Sequence, residues 1–164
     1  MLPDELSKFI GRTVETSIFD IEKEPIRRFA DAVGDMNPLY CDDTYARNSR
    51  YGGIIAPPGF LSSLWLAGRS SRWGVGRPAE ALGPPELMAA IEGAGFRRIV
   101  DTGMDYEFFS PVKAGDTVRS VSTVRDIMER GEDQARMIFL VVDTVFSNGE
   151  GNVIARSRSM TVHQ

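Results

Sequence analysis

The spacing of apolar residues changes character several times along the chain. From Arg12 to Ile21, the positions Thr13, Val14, Thr16 and Ile18 alternate roughly in twos, which predicts a first β-strand. Pro25 then opens a different pattern. Ile26, Phe29, Ala30 and Val33 recur at i, i+3, i+4 and i+7, the period of a helix with one apolar stripe, and Gly34 is a suitable C-terminal stop. A second, short helix is predicted between Asp42 and Ser49, with Asp42 and Asp43 at its positive end and Gly52-Gly53 beyond its finish.

The segment after Ile54 follows neither pattern. Pro57 and Pro58 suit an extended entry and a first helical turn, and Phe60, Leu61, Leu64, Trp65 and Leu66 surround nearly the whole following helix with apolar surface. A helix apolar on most sides is expected to be buried. From Gly68 to Gly95 the chain is rich in Gly, Pro, Ala and Arg, with a weak helical pattern around Glu86 to Ile91, and reads as an excursion. Strands follow at roughly Arg98 to Ser110, Asp116 to Glu129, Gln134 to Ser147 and Asn152 to Val162, broken at the turn sequences Lys113-Ala-Gly-Asp, Arg130-Gly-Glu-Asp and Asn148-Gly-Glu-Gly. The continuous run from Met137 to Val142 predicts a central strand covered on both faces. The alternation of Met104, Tyr106 and Phe108, and of Ile154, Arg156, Arg158, Met160 and Val162, predicts half-exposed neighbours. Consecutive antiparallel strands after a buried helix make an α+β architecture.

Composition narrows the class of protein. A length of 164 residues is natural for one domain spanning 1–164, and 42 % apolar with 26 % charged residues is ordinary for a globular chain. No apolar run approaches the ~20 residues that cross a bilayer, and the N-terminus lacks a secretory pattern, so a soluble, cytoplasmic protein with no membrane partner is expected. Cys41 is the single cysteine and precludes an internal disulfide; with no histidine near it in sequence, it is expected to be structural. A net charge of -4 without a basic, aromatic-laced stripe argues against nucleic acid. Arg69, Arg72, Arg77, Arg97 and Arg98 flank the Gly/Pro-rich segment and are candidate contacts for phosphates, against the plainer reading of solvated surface arginines.

Candidate chemistry lies where the first helix ends. Gly34, Asp35, Asn37 and Pro38 are all turn formers, so the chain leaves the helix there and presents short polar side chains. Asp35-x-Asn37-Pro38-Leu39, preceded by Gly34 and followed by Ala46, resembles the signature of the MaoC-like (R)-specific enoyl-thioester hydratases and dehydratases, which have a hot-dog fold. That fold wraps a curved antiparallel sheet around one buried helix. The family pattern ends in histidine where this chain has Tyr40. Ser49-Arg-Tyr-Gly-Gly-Ile-Ile-Ala-Pro-Pro and Phe109-Ser-Pro-Val-Lys-Ala-Gly-Asp-Thr-Val resemble the N-terminal-module branch, which is similar to the accessory subunits of acyl-thioester dehydratases.

The resemblance implies that an aspartate and a histidine hold and activate water, while a backbone N–H at the start of the buried helix stabilises the thioester oxyanion. Carried over residue by residue, Asp35 and Tyr40 are the candidate catalytic positions, and Asn37, Gly59 and Phe60 the candidate substrate-binding ones. A phenol with an ordinary pKa near 10 donates a hydrogen bond but is a poor base. The plainer readings are a turn-capping role for Asp35, a packed tyrosine at Tyr40 and a structural helix start at Gly59. His163, the one histidine, sits beside the C-terminus and is expected to be exposed; the place at which many family members carry a serine is Ala67. No metal or organic cofactor is implied; an acyl-CoA or acyl-carrier thioester is the substrate. Three readings follow: an acyl-binding component working with a catalytic hot-dog partner, a self-sufficient hydratase using Asp35 and Tyr40, or a non-catalytic acyl-thioester-binding protein. Edge-to-edge pairing in the family implies a homo-oligomer or a heterodimer with a second MaoC-like subunit.

Overall fold

The computed structural model describes residues 3–67, 85–132 and 135–164. Its helices are α1 (Asp4–Ser7), α2 (Lys23–Ala32), α3 (Pro38–Cys41), α4 (Asp43–Asn48), α5 (Phe60–Ala67) and α6 (Pro85–Gly93); its strands are β1 (Thr13–Asp20), β2 (Ile99–Phe108), β3 (Thr117–Arg130), β4 (Met137–Ser147) and β5 (Val153–His163). All five strands pair antiparallel in one sheet ordered β1-β3-β4-β5-β2. No helix among the described residues is long and apolar enough to cross a membrane. Every predicted strand exists, with ends displaced by a few residues, and the α+β architecture holds.

The core is divided in two. In the first cluster Phe60, Leu61 and Leu64 of α5 pack with Ile26 and Ala30 of α2 and with Val118, Phe146 and Ala155 of the sheet. The second joins Leu6 and Phe9 to Leu87 and Ile91 of α6 over Val124, Ile127, Ile138 and Leu140. Removing a leucine or isoleucine such as these from water is worth about 1.5–3 kcal/mol each, so α1 and α6 hold the far end of the sheet together. Between the clusters Ser122, Thr144 and Ser157 stand opposite one another on β3, β4 and β5, and the Ser122 and Thr144 hydroxyls are 2.9 Å apart.

Two expectations change. β4 is central, with Val141 and Val142 both buried, but β2 is exposed along nearly its whole length because it lies at the sheet edge. β5 is half exposed as expected, with Ser157, Thr161 and His163 buried and Arg156 and Arg158 exposed. His163 is 1 % exposed rather than a tail residue: it pairs with Ile99 on one side and Ile138 on the other, while Gln164 exchanges backbone hydrogen bonds with Arg98. The expected excursion falls outside the described residues for 68–84, as do Arg69, Arg72 and Arg77; its remainder includes α6, where the weak helical pattern is real.

Candidate active site

Helix α2 ends on a motif that fixes the polar turn. Gly34 takes a positive φ of 71°, the Asp35 N–H donates to the Ala30 carbonyl at 2.9 Å and the Gly34 N–H to the Asp31 carbonyl at 3.1 Å. This paired 6→1 and 5→2 closure needs a residue that tolerates left-handed backbone, hence glycine. Asp35 Oδ1 then accepts from the Asn37 N–H at 3.3 Å, and Asn37 Oδ1 accepts from the Leu39 N–H at 3.0 Å. Asn37 is therefore the N-cap of α3, with Pro38 in the first turn where its missing N–H costs nothing. This one-turn helix was not anticipated, because Asx-turn and helix-cap residues read alike in sequence. Asp42 repeats the device for α4, accepting from Thr44 and Tyr45.

Longer contacts orient the turn against the core. Phe29 meets Phe60 edge to face with ring centroids 5.7 Å apart, and its ring comes close to Gly59, where a Cβ would sit 3.7 Å from Phe29 Cζ. Arg27 donates to the Cys41 carbonyl at 3.1 Å and to Asp43 at 2.8 Å, which also accepts from Lys23. These bonds, that from Lys23 foremost, hold the Asp43 carboxyl below its usual range. Cys41 Sγ lies 3.6 Å from the Asn37 carbonyl, in keeping with a structural thiol. The Ile55 N–H donates to the Leu39 carbonyl at 3.2 Å and the Ala56 N–H to the Val112 carbonyl at 2.8 Å, so the turn, the approach to α5 and the chain beyond β2 are tied together.

These ties enclose a cleft of about 470 Å³. One wall is Asn37, Leu39 and Tyr40, the floor is the entrance to α5 at Pro57, Pro58 and Leu61, and the opposite wall is Phe108 to Val112. Among the described residues that line it there is no carboxylate and no imidazole. Two candidate site residues therefore lie in the wall, Asn37 and Tyr40. Asp35 is exposed and stands outside it, although its charge reaches the Tyr40 phenol. Gly59 and Phe60 are not among the residues that line the cleft: the Phe60 ring is core, 2 % exposed, and its N–H is already given to the Pro57 carbonyl at 3.1 Å. Neither α6 nor His163 forms any part of the cleft.

Tyr40 is itself buried, and burial first, then the Asp35 carboxylate and the Tyr51 phenol, push its pKa above the ordinary value. A phenol moved in that direction stays protonated at neutral pH and offers an O–H donor rather than a base. The residues that sequence reasoning missed are mainly aromatic: Tyr51, near Tyr40, and Phe108 and Phe109. Tyr51 and Phe109 fall within the two segments that resemble the N-terminal-module branch, but an aromatic beside turn-forming Gly or Pro does not by itself distinguish a cleft wall from core.

Residues 8–157 match the family described as FAS1-like, dehydratase domain region. A UPF0336 protein of Thermobifida fusca is 29% identical over 155 residues, which cover 94% of this chain and 90% of that relative. A probable enoyl-CoA hydratase alpha subunit of Thermomonospora curvata is 27% identical over 157 residues, 93% of this chain but 49% of that longer protein. Among solved structures, a chain of the ChsH1-ChsH2 complex from Mycobacterium tuberculosis superposes with a TM-score of 0.74 at 18% identity, covering 97% of this chain and 88% of that one. At such identity the similarity speaks for the fold. With its sheet, buried helix and Asx-rich turn, the chain belongs to the FAS1-like dehydratase-region family of hydratases and dehydratases and has the MaoC-like hot-dog fold.

Proposed function

We propose that this chain is the acyl-thioester-binding component of a cytoplasmic (R)-specific enoyl-thioester hydratase or dehydratase, and that a second hot-dog chain supplies the groups that move protons. The observation that carries this reading is the chemistry of the cleft wall: apolar and aromatic, with a protonated phenol where the family signature has histidine. Hydration adds water across C2=C3 of the enoyl thioester, the hydroxyl oxygen bonding to C3 and a proton arriving at C2. A base must take a proton from the water. Tyr40, with its raised pKa, is unsuited to that task, but its O–H can orient a polar atom of the substrate while Leu61, Phe108 and Phe109 exclude water from the acyl chain.

A second reading rests on the nearness of Asp35 to Tyr40. There Asp35 is the base, Tyr40 positions the water, and the chain works alone. Its exposure and its place outside the cleft weigh against it.

The test is hydration of crotonyl-CoA and of longer or cyclic enoyl-CoAs by the purified chain, alone and mixed with a hot-dog chain bearing an intact Asp-x-Asn-Pro-x-His. Turnover confined to the mixture is the expected result. Robust turnover by the chain alone, abolished by Asp35→Asn, would overturn the proposal in favour of the second reading; binding without turnover in any mixture would leave a non-catalytic binder.

A further inference from the structure

The Tyr106 hydroxyl, on β2, is shut off from solvent and has no hydrogen-bond partner among the described residues. Burial pushes its pKa up to about 12, so it stays protonated and offers an O–H donor. Buried polar groups in folded proteins are nearly always paired, and a donor that is not can take a partner from outside the chain.

The surroundings of the ring say where such a partner would come from. Tyr106 and Phe108 alternate onto the same side of β2, and their rings stack with centroids 5.2 Å apart at an interplanar angle of 12°. Phe108 lines the cleft, whereas Phe146, whose ring centroid is 6.4 Å from that of Tyr106, is fully buried. Tyr106 therefore stands between the cleft wall and the core, a rise of about 7 Å along the strand from Phe108. The polar, well-hydrated carrier of a thioester gains least from that depth and the acyl group most.

The sheet carries a polar row at the same level. Tyr106 stands opposite Ser157, Ser157 opposite Thr144 and Thr144 opposite Ser122, one hydroxyl-bearing residue on each of β2, β5, β4 and β3. Ser122, Thr144 and Ser157 are buried, and the Ser122 and Thr144 hydroxyls satisfy one another at 2.9 Å. Tyr106 closes the row on the strand whose end forms a cleft wall, and its hydroxyl is left without a partner of that kind. A plain hydrocarbon chain laid against it would leave it unpaired, while a carbonyl or hydroxyl oxygen on the chain would accept its hydrogen bond.

We propose that Tyr106 is a specificity-determining residue, its hydroxyl donating a hydrogen bond to an oxygen carried by the acyl group, a ketone or hydroxyl remote from the thioester. Tyr106 lies behind Phe108 rather than in the cleft lining, and the Phe108 ring, 47 % exposed, turns aside to admit the acyl end, as exposed side chains do freely. The inference rests on the acyl-thioester reading above and adds to it the class of acyl group, an oxygenated chain or ring in place of a plain hydrocarbon.

The experiment is calorimetric titration of the full chain and of Tyr106→Phe with decanoyl-CoA and with its 5-oxo, 7-oxo and 9-oxo analogues, together with denaturant unfolding of both proteins. In the unaltered chain at least one oxo analogue is expected to bind about fivefold or more tightly than decanoyl-CoA, and in Tyr106→Phe that ratio is expected to fall to about one. Tyr106→Phe is also expected to be no less stable than the unaltered chain, because it removes an unpaired buried polar atom. No preference for any oxo analogue, or a preference that survives in Tyr106→Phe, would overturn the inference. So would a variant that unfolds more readily or fails to fold, since the hydroxyl would then have its partner within the chain. Decanoyl-CoA bound without preference leaves the acyl-thioester reading standing, whereas binding of none of these thioesters overturns both.

Discussion

Burial first and then the Asp35 carboxylate raise the pKa of the Tyr40 hydroxyl, and their contributions can be separated by experiment. Replacing Asp35 with Asn removes a negative charge and retains an acceptor for the Asn37 N–H. The Tyr40 phenol is then expected to titrate at lower pH than in the unaltered chain, though still above an exposed tyrosine, as read by ultraviolet absorbance. No change in that titration would mean that Asp35 does not sense Tyr40. Tyr106 is a second tyrosine with a shifted hydroxyl, pushed up to about 12 by burial alone, and it should not respond to Asp35→Asn. His163 makes an equally specific statement about pH. Burial lowers its pKa from the ordinary 6.5, so the unfolded chain binds its proton more readily than the folded one. The associated stability is complete above the unfolded value and is lost as pH falls below about 6.5 towards the folded value. His163→Gln should flatten this part of the stability curve, measured by urea unfolding at a series of pH values; an unchanged slope would assign it elsewhere.

At the scale of elements, the turn after α2 is held by caps and one aromatic contact, and each has a calculable cost. Asn37→Ala removes the acceptor for the Leu39 N–H and is expected to destabilise the chain by about 1 kcal/mol, as caps do. Phe60→Ala empties a site that is 2 % exposed and touches both α2 and the sheet, and should cost about 3–5 kcal/mol in denaturant unfolding. A loss below ~1 kcal/mol there would mean that α5 is not the hub of the first cluster. The strands and α2 were legible because period is a property of neighbouring residues: Ile26, Phe29, Ala30 and Val33 announce a helix without reference to anything distant. Helix α3 was not, since its four residues have no period and its cap, Asn37, looks the same as a loop residue. Burial on β2 was misjudged for a related reason. Alternation of Met104, Tyr106 and Phe108 marks a strand, but whether either side is covered depends on the strand order, which places β2 outermost.

Across the whole molecule, the sheet joins a well-filled end under α1 and α6 to an end where α5, the polar turn and the close of β2 leave a cleft. Asp35, Asn37 and Tyr40 were legible as a group because they are contiguous; their separation into cleft wall and solvent was not, since it depends on how the turn faces Phe108 across the fold. Phe108 and Phe109 were invisible as site residues because their distance from Tyr40 along the chain closes only when β2 takes its place at the edge. Among the described residues β2 pairs with β5 alone, and Phe108 at its close lines the cleft.

The central claim is that the cleft receives an acyl thioester, and amide spectra of the isotopically labelled chain during titration with a non-hydratable acyl-CoA thioether examine it most directly. The expected result is saturable shifts concentrated at Asn37 to Tyr40, Leu61 and Phe108 to Val112, with Ile91, Ile127 and Ile138 at the far cluster unmoved. Shifts absent at saturating ligand, or centred on the far cluster, would contradict it.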